Sequence, residues 1–191
     1  MNLLDAHGEA LREFDRTVHQ ISGGQWDAPT PCSEWTVRDL LNHLVSEQLW
    51  VPHLLAGETL AQVGDRYDGD VLGGDPVGIW EKSSIAARQA WTEPGATDRQ
   101  VQLSFGDSEA TLYGWQMTID LAVHAWDLAK GIGAAQPISA EVADTLLPIV
   151  TPQIDWWQGI DIVAAPVPVP ESASAADRLV ALCGRSPSWP A

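Results

Sequence analysis

Residues 115–131 read "WQMTIDLAVHAWDLAKG", a segment that is apolar except for a few regularly spaced polar positions. Successive residues of an α-helix turn by about 100°, so Asp120, His124 and Asp127 fall on one edge, with Gln116 inside the same arc of about 80°. Such an edge is typical of a helix face in water, where an Asp–His pair one turn apart contributes roughly 0.2–0.5 kcal/mol. It is equally compatible with side chains that hold a ligand inside a bundle.

The composition indicates one compact domain covering residues 1–191. The sequence is 45% hydrophobic, which suffices for a core without disulfides. Its formal net charge of −16 disfavours nucleic acid and anionic membrane surfaces as partners. Two distant cysteines form no disulfide framework, and the sequence contains neither a signal-peptide core nor an apolar run long enough to span a membrane. We therefore expect a cytoplasmic protein.

Five helices are predicted from apolar residues that recur every three or four positions. Their expected ranges are 3–21, 37–55, 76–91, from between Glu109 and Tyr113 to Gly131, and 140–157. Thr36 and Asp39 match a capping box at the start of the second helix. Asp75 before Pro76 marks the start of the third helix, because Asp caps the free N–H groups and proline is tolerated in the first turn.

The connections between these helices are less regular. Residues 57–74 are rich in glycine and aspartate and are expected to form a loop. A short hairpin is predicted around Gly106 and Asp107, where apolar and polar residues alternate. From about residue 164 the chain is expected to be a proline-rich tail with one short helix near 174–184. The pattern predicts an all-α fold, a bundle whose functional sites lie on facing helices.

The second predicted helix carries a further candidate ligand. His43 stands on the border of its apolar face, with Glu47 and Trp50 beside it. A histidine there is commonly a packing residue, but it would reach the core if the second and fourth helices were neighbours. His43, Asp120 and His124 would then form a set of three metal ligands. Imidazole and carboxylate suit zinc, and three protein ligands leave a position open for water or substrate, as in catalytic sites.

Several nearby residues are expected to support or complete this set. Asp127, one turn beyond His124, is either an acceptor for the second ring N–H of His124 or a side chain exposed to water. Glu47, as a fourth ligand, would close the coordination sphere and exclude catalysis. Large aromatic side chains are expected to form core or cavity wall. The tryptophans concerned are Trp35, Trp50, Trp115 and Trp126.

The remaining histidines and cysteines are interpreted as structural. His7 and His19 lie on the charged part of the first helix, so we expect both in water. Cys32 lies in a loop without a basic neighbour that would lower its pKa, so it is a poor nucleophile. Cys183 is expected to fill the core.

Three segments resemble a known family: "TPCSEWTVRDLLNHLV" (30–45), "DLAVHAWDLAKG" (120–131) and "PVPESASAADRLVALCGR" (168–185). Together they resemble actinobacterial metal-binding proteins of the DinB-like superfamily, in the group related to the N-terminal domain of mycothiol-dependent maleylpyruvate isomerase. The resemblance implies a DinB/YfiT-like four-helix bundle with additional short C-terminal helices. It also implies zinc, or sometimes nickel, held by a histidine of the second helix and an acidic-x-x-x-His pair of a later helix.

On this chain the implied metal ligands are His43, Asp120 and His124. The resemblance further implies mycothiol as a thiol cosubstrate or cofactor. Two features depart from the isomerase: its acidic ligand is a glutamate where this chain has Asp120, and its additional C-terminal domain is replaced here by a short tail. Together with the charge of −16, these departures disfavour maleylpyruvate itself as the substrate.

Three functional hypotheses follow. The leading one is a metal-dependent thiol transferase or thiol-cofactor-dependent enzyme, whose partners are a small-molecule thiol and an electrophile, with a homodimer as a possible assembly. The second is a non-catalytic metal-binding or interaction module. The third is a bundle that binds no metal.

Overall fold

The computed structural model describes residues 1–159 and 163–190, and every statement below refers to that part of the chain. The α-helices are α1 (Leu3–Val18), α2 (Val37–Leu55), α3 (Leu60–Val63), α4 (Pro76–Thr92), α5 (Ala110–Ile132), α6 (Ala140–Val150), α7 (Ile154–Gly159) and α8 (Ala175–Leu182). Two strands, β1 (Gln100–Leu103) and β2 (Gly106–Glu109), form an antiparallel hairpin. None of these described helices has the length and apolar character needed to cross a bilayer.

The four long helices α1, α2, α4 and α5 form the bundle, so the predicted all-α fold is confirmed. α1 packs chiefly against α5 and α2 chiefly against α4, while α2 also contacts α5. The shorter helices α6 and α8 pack against each other and contact α5. Leucine, valine and tryptophan side chains from these elements fill the core, including fully buried Leu40, Trp80, Leu121, Trp126 and Leu146. The neighbouring positions of α2 and α5 fulfil the condition for a shared site.

The helix starts agree with the capping patterns in the sequence. α2 begins and ends at the predicted residues, and the Thr36 hydroxyl accepts a hydrogen bond from the Asp39 backbone N–H at 3.2 Å. In return, the Asp39 carboxylate accepts one from the Thr36 backbone N–H at 3.0 Å. The Asp75 carboxylate caps α4 by accepting from the Gly78 backbone N–H at 3.1 Å. These bonds satisfy backbone donors that have no partner within the helix.

Three local predictions were wrong by a few residues. The expected loop 57–74 contains the short helix α3, opened by a second capping box at Thr59. The hairpin turns at Ser104 and Phe105, because Leu103 pairs with Gly106. α5 continues through Gly131 and ends at Gly133, whose φ of 68° is the left-handed conformation that glycine adopts readily.

The predicted fifth helix is divided in two. α6 ends at Val150, a 3₁₀ turn covers Thr151–Gln153, and α7 then begins at Ile154. Pro152 lies in this turn and has no N–H to donate, so the regular hydrogen-bond pattern cannot continue through it. Trp157 of α7 lines the cavity described below.

Candidate metal centre

α2 and α5 bring the three predicted ligands together. His43 Nε2 lies 3.2 Å from Asp120 Oδ2, and His124 Nε2 lies 3.3 Å from Asp120 Oδ1. One donor atom from each of the three side chains falls within 4.8 Å of the other two. The two carboxylate oxygens of Asp120 thus face one imidazole each. A histidine of one helix therefore lies beside an Asp–His pair of the neighbouring helix, which is the arrangement expected from the sequence.

The spacing of these donors fits a divalent metal. Zinc lies about 2.0–2.2 Å from nitrogen and oxygen ligands, so two donors of a tetrahedral site are roughly 3.3–3.6 Å apart. The observed separations of 3.2 and 3.3 Å are close to this range. Two imidazoles and one carboxylate are also a donor set that zinc and neighbouring transition metals accept.

The electrostatics of the cluster favour positive charge. Burial opposes protonation of His124, but the adjoining Asp120 carboxylate outweighs it and raises the pKa of the imidazole to about 9. Burial likewise opposes ionisation of Asp120, yet His43 and His124 hold the pKa of that carboxyl well below its usual range. A half-buried carboxylate between two imidazoles therefore stabilises either a proton or a metal cation at this position.

His124 is held from its other side by Asp127. The ring Nδ1 lies 3.0 Å from Asp127 Oδ2, and Asp127 is fully buried. When Nδ1 donates to this carboxylate, Nε2 is turned toward Asp120 and can hold either a proton or a metal ion there. The predicted outer partner of His124 is thus in place. The alternative, that this edge of α5 faces water, is wrong for its C-terminal half: His124 and Asp127 are buried, and the segment that follows α8 covers Asp127, whereas Gln116 and Asp120 are half-buried.

Arg185 supplies that cover and was not found by sequence reasoning. Its Nη2 donates to Asp127 Oδ2 at 3.0 Å, its Nε donates to the same oxygen at 3.2 Å, and its Nη1 donates to the Cys183 carbonyl at 2.8 Å. The contact joins residues that are 58 positions apart. Helical periodicity carries no information on such a contact. Among the sequence patterns, only the resembling segment 168–185, which ends in "CGR", includes Arg185.

A cavity of about 390 Å³ opens beside the cluster. Its lining combines the three ligands with Glu47, Arg185 and a largely apolar wall that includes Trp50, Leu54, Leu103, Phe105, Tyr113, Met117, Val123 and Trp157. Trp35 closes the opposite side, its ring centroid 4.9 Å from that of His43 and 5.7 Å from that of His124. Of the four tryptophans that the sequence marked as core or cavity wall, Trp35 and Trp50 therefore lie at the site, whereas Trp126 is buried in the core and Trp115 packs against it.

The cysteines lie near the cluster but are poor nucleophiles. Burial raises the pKa of the Cys32 thiol to about 11 and that of Cys183 to about 12. Cys32 Sγ groups with donor atoms of His124 and Asp127 within 4.8 Å, which places it beside Arg185. The expectation that Cys32 lacks a basic neighbour was wrong, but its conclusion holds because burial outweighs the arginine. Cys183 is buried as predicted and also lines the cavity.

The two histidines of α1 differ from each other. His19 is exposed as predicted, whereas His7 is only 1% exposed and the prediction for it was wrong. The His7 ring packs at 5.8 Å from that of Trp91, and its Nδ1 accepts a hydrogen bond from Arg88 Nη1 at 3.2 Å. Charged residues flank His7 in the sequence and indicate an exposed position, whereas the side chain points toward α4.

The fold and the cluster define a class of protein: a helical bundle in which a His–Asp–His set from two helices borders a cavity. The family model for the mycothiol maleylpyruvate isomerase N-terminal domain matches residues 7–129. The chain belongs to this family, which confirms the resemblance seen in the sequence.

Individual relatives and solved structures agree with this assignment. Two Mycobacterium tuberculosis proteins, MT0763 of strain CDC 1551 and Rv0738 of strain H37Rv, are each 29% identical over 97% of this chain and 99% of their own length, and both are described as uncharacterized. The crystal structure of the mycothiol-dependent maleylpyruvate isomerase superposes with a TM-score of 0.64 at 16% identity, covering 82% of this chain and 70% of that one. A histidine-to-alanine mutant of that enzyme gives a TM-score of 0.65 at 18% identity and the same coverage.

Proposed function

We propose that this protein is a metal-dependent enzyme that uses mycothiol, as a thiol S-transferase or with the thiol as a cofactor. The observation that carries the proposal is the convergence of His43, Asp120 and His124 at the wall of a cavity. Membership of the mycothiol maleylpyruvate isomerase N-terminal domain family supports mycothiol as the thiol. We further propose a cytoplasmic location. Homodimer formation stays a prediction.

In this proposal His43, Asp120 and His124 would hold the metal, zinc or alternatively nickel, and Asp127 with Arg185 fixes the orientation of His124. A bound divalent metal lowers the pKa of a coordinated thiol, which makes the thiolate available at neutral pH. The thiol sulfur then bonds to an electrophilic carbon. In a substitution the thiol proton departs with the leaving group, and in an addition it ends on the adjacent carbon.

The cavity walls contribute by excluding water from this chemistry. Trp35 packs on both imidazoles, and apolar side chains such as Met117 and Val123 surround the remaining space. A dry environment strengthens the electrostatic interactions of the cluster and protects a reactive electrophile from hydrolysis. The cavity volume of about 390 Å³ is within the range for small-molecule sites.

The non-catalytic alternative requires a fourth protein ligand that closes the coordination sphere. Glu47 was the candidate, but within the described residues its carboxylate is not part of the group of donor atoms lying within 4.8 Å of one another. An open position facing the cavity is what a substrate-binding metal needs, and this favours the enzyme over the closed module.

Metal analysis tests the proposal first. Protein purified without an affinity tag should contain close to one divalent metal per chain, and His124→Ala should lose it, because one of three ligands is gone. His19→Ala, which removes an exposed histidine, is the matched control. Unchanged metal content in His124→Ala would end the proposal.

A thermal-shift comparison tests the thiol. A ligand that binds only the folded state raises its stability by mass action, so mycothiol should raise the melting temperature and glutathione should not. The shift should disappear in His124→Ala. Equal responses to both thiols, or none to mycothiol, would contradict its assignment as the cosubstrate.

A further inference from the structure

The cavity contains a carboxylate that the candidate metal centre does not use. Glu47 lies one turn after His43 on α2, lines the cavity and stands outside the ligand group. Burial raises the pKa of its carboxyl, the nearby His43 and His124 offset part of this effect, and no described residue donates a hydrogen bond to it. Carboxylates in protein interiors are normally hydrogen-bonded, so a partly buried carboxylate that lines a cavity without such a bond suggests that a ligand supplies the donor or the positive charge.

The arginine of the cavity wall already has a carboxylate partner in Asp127. Each of the three guanidinium nitrogens of Arg185 already donates a hydrogen bond, two to Asp127 and one to the Cys183 carbonyl. The positive charge of Arg185 is compensated by the fully buried Asp127. Among the described residues that line the cavity, no other lysine or arginine is present.

The charge sum of the site is therefore negative. Arg185 and Asp127 cancel each other. The charges of a divalent ion, the Asp120 carboxylate and a thiolate also sum to zero, so the negative charge of Glu47 is the one that remains. Without metal and thiolate the sum stays negative, because a protonated His124, with a pKa of about 9, offsets only one of the two charges of Asp120 and Glu47. The net charge of −16 on the whole chain adds to the repulsion of anions.

The cavity that Glu47 lines also holds four aromatic side chains among its aliphatic ones. Trp50 follows Glu47 by three residues on α2, and Phe105, Tyr113 and Trp157 line the same cavity. Tyr113 lies close enough for the Glu47 charge to raise the pKa of its phenol further, after the larger effect of burial. A carboxylate combined with several aromatic faces is the arrangement that recognises ammonium and quaternary ammonium groups.

We propose that the second substrate of this enzyme is an electrophile with a cationic nitrogen group, which Glu47 and the aromatic wall bind. This inference rests on the proposed function and specifies its substrate class. It disfavours dicarboxylate electrophiles of the maleylpyruvate type, because the one arginine of the described lining is already paired with Asp127. Glu47 is in this view a specificity-determining residue that contacts substrate without being a metal ligand.

Three probes that share a benzyl group test the proposal directly: benzyltrimethylammonium, benzyl methyl sulfone and phenylmethanesulfonate. Their binding to the full-length chain is measured by calorimetry, as purified and again after chelator treatment. The cation should bind roughly tenfold more tightly than the neutral sulfone, and the sulfonate most weakly. Glu47→Gln should bring the three affinities to within about threefold of one another while the metal content stays unchanged.

The matched control is Glu109→Gln, which removes the same charge from an exposed carboxylate outside the cavity lining. It should preserve the order of affinities. Circular dichroism and melting curves establish that both variants are folded. The proposal is overturned if no probe binds, if the sulfonate binds as well as the cation, if Glu47→Gln preserves the order, or if Glu47→Gln loses the metal and so identifies a fourth ligand.

Failure of this inference is distinguishable from failure of the proposed function. If mycothiol raises the melting temperature but the three probes bind with equal affinity, the proposed thiol enzyme stands and the cationic substrate is rejected. If the cationic probe binds most tightly but mycothiol does not change the melting temperature, the thiol chemistry is rejected and Glu47 stands as a cation-binding residue.

Discussion

Asp127 connects the C-terminal segment to the candidate metal centre through a single buried carboxylate. It accepts from Arg185 on one side and contacts His124 on the other, and both contacts are about 3.0 Å long. Burial alone would raise the pKa of this carboxyl, but His124 and Arg185 lower it, so Asp127 is charged. A charged acceptor holds the imidazole more firmly than a neutral one would.

Asp127→Asn is expected to weaken metal binding without abolishing it. The amide keeps the shape of the carboxylate but loses the charge that orients His124 and increases its basicity, and changes of this kind reduce metal affinity about 10–100-fold. Competition with a chelating dye measures the effect. Asp107→Asn, in the exposed hairpin, should leave the affinity unchanged. Equal affinities for wild type and Asp127→Asn would show that Asp127 serves only the packing of Arg185.

His7 makes the stability of the fold depend on pH. Burial and the adjacent Arg88 lower its pKa to about 3, whereas an unfolded chain has an ordinary histidine near 6.5. Between these values the unfolded state binds a proton that the folded state does not. The free energy of unfolding therefore falls as the pH falls below about 6.5, by about 1.4 kcal/mol per pH unit.

His7→Gln should remove this dependence. Between pH 7.5 and 5.5 the wild type is expected to lose about 1.4 kcal/mol more stability than the variant, measured by urea unfolding. The comparison of the two differences cancels contributions from the other histidines. The groups that face His7 are Arg88 of α4 and the Trp91 ring, and neither titrates in this range. Parallel pH profiles for the two proteins would refute the prediction.

At the scale of single residues, the sequence predicts the candidate metal ligands better than the distant residues that pack around the site and the core. His43, Asp120 and His124 stand out because two helical periodicities place them on edges that can face each other. Asp127 is predictable for the same reason, being one turn from His124. Arg185 and the burial of His7 depend on which distant segments pack together, and no local pattern encodes that choice.

At the scale of elements, helix starts are predictable because their signals are local. Capping side chains bond to backbone groups within three residues, so Thr36 and Asp75 mark the starts of α2 and α4 correctly. The end of α5 was misplaced at Gly131 because two glycines lie close together. A β-carbon at Gly131 would lie 3.1 Å from the Pro29 carbonyl oxygen, so this glycine permits close packing within the helix, and Gly133 ends it.

Gly133→Ala should therefore destabilise the protein by about 1–2 kcal/mol, the cost of a left-handed conformation for a residue with a β-carbon. Thermal or urea unfolding measures the change. Gly24→Ala is the control, because Gly24 has open space around its α-carbon and no left-handed φ, so its variant should be neutral or slightly more stable. A neutral Gly133→Ala would place the end of α5 elsewhere.

At the scale of the whole molecule, the candidate centre joins segments that are far apart in sequence. His43 comes from α2, Asp120 and His124 from α5, and Arg185 from the chain after α8. A cation bound there stabilises all three segments together, by RT ln(1 + [L]/Kd), or about 2.7 kcal/mol at a hundredfold excess over Kd. The net charge of −16 opposes compaction, so this contribution also offsets part of the self-repulsion.

Hydrogen exchange followed with and without zinc tests this coupling. We expect zinc to slow exchange in α2 near His43, in α5 around Asp120–Asp127, and in residues 179–185, because Asp127 contacts both His124 and Arg185. The peripheral hairpin at β1 and β2 should change much less. In His124→Ala the effect of zinc should vanish in all three segments. Protection limited to α2 and α5, with residues 179–185 indifferent to zinc, would show that the C-terminal segment covers the centre without being energetically coupled to it.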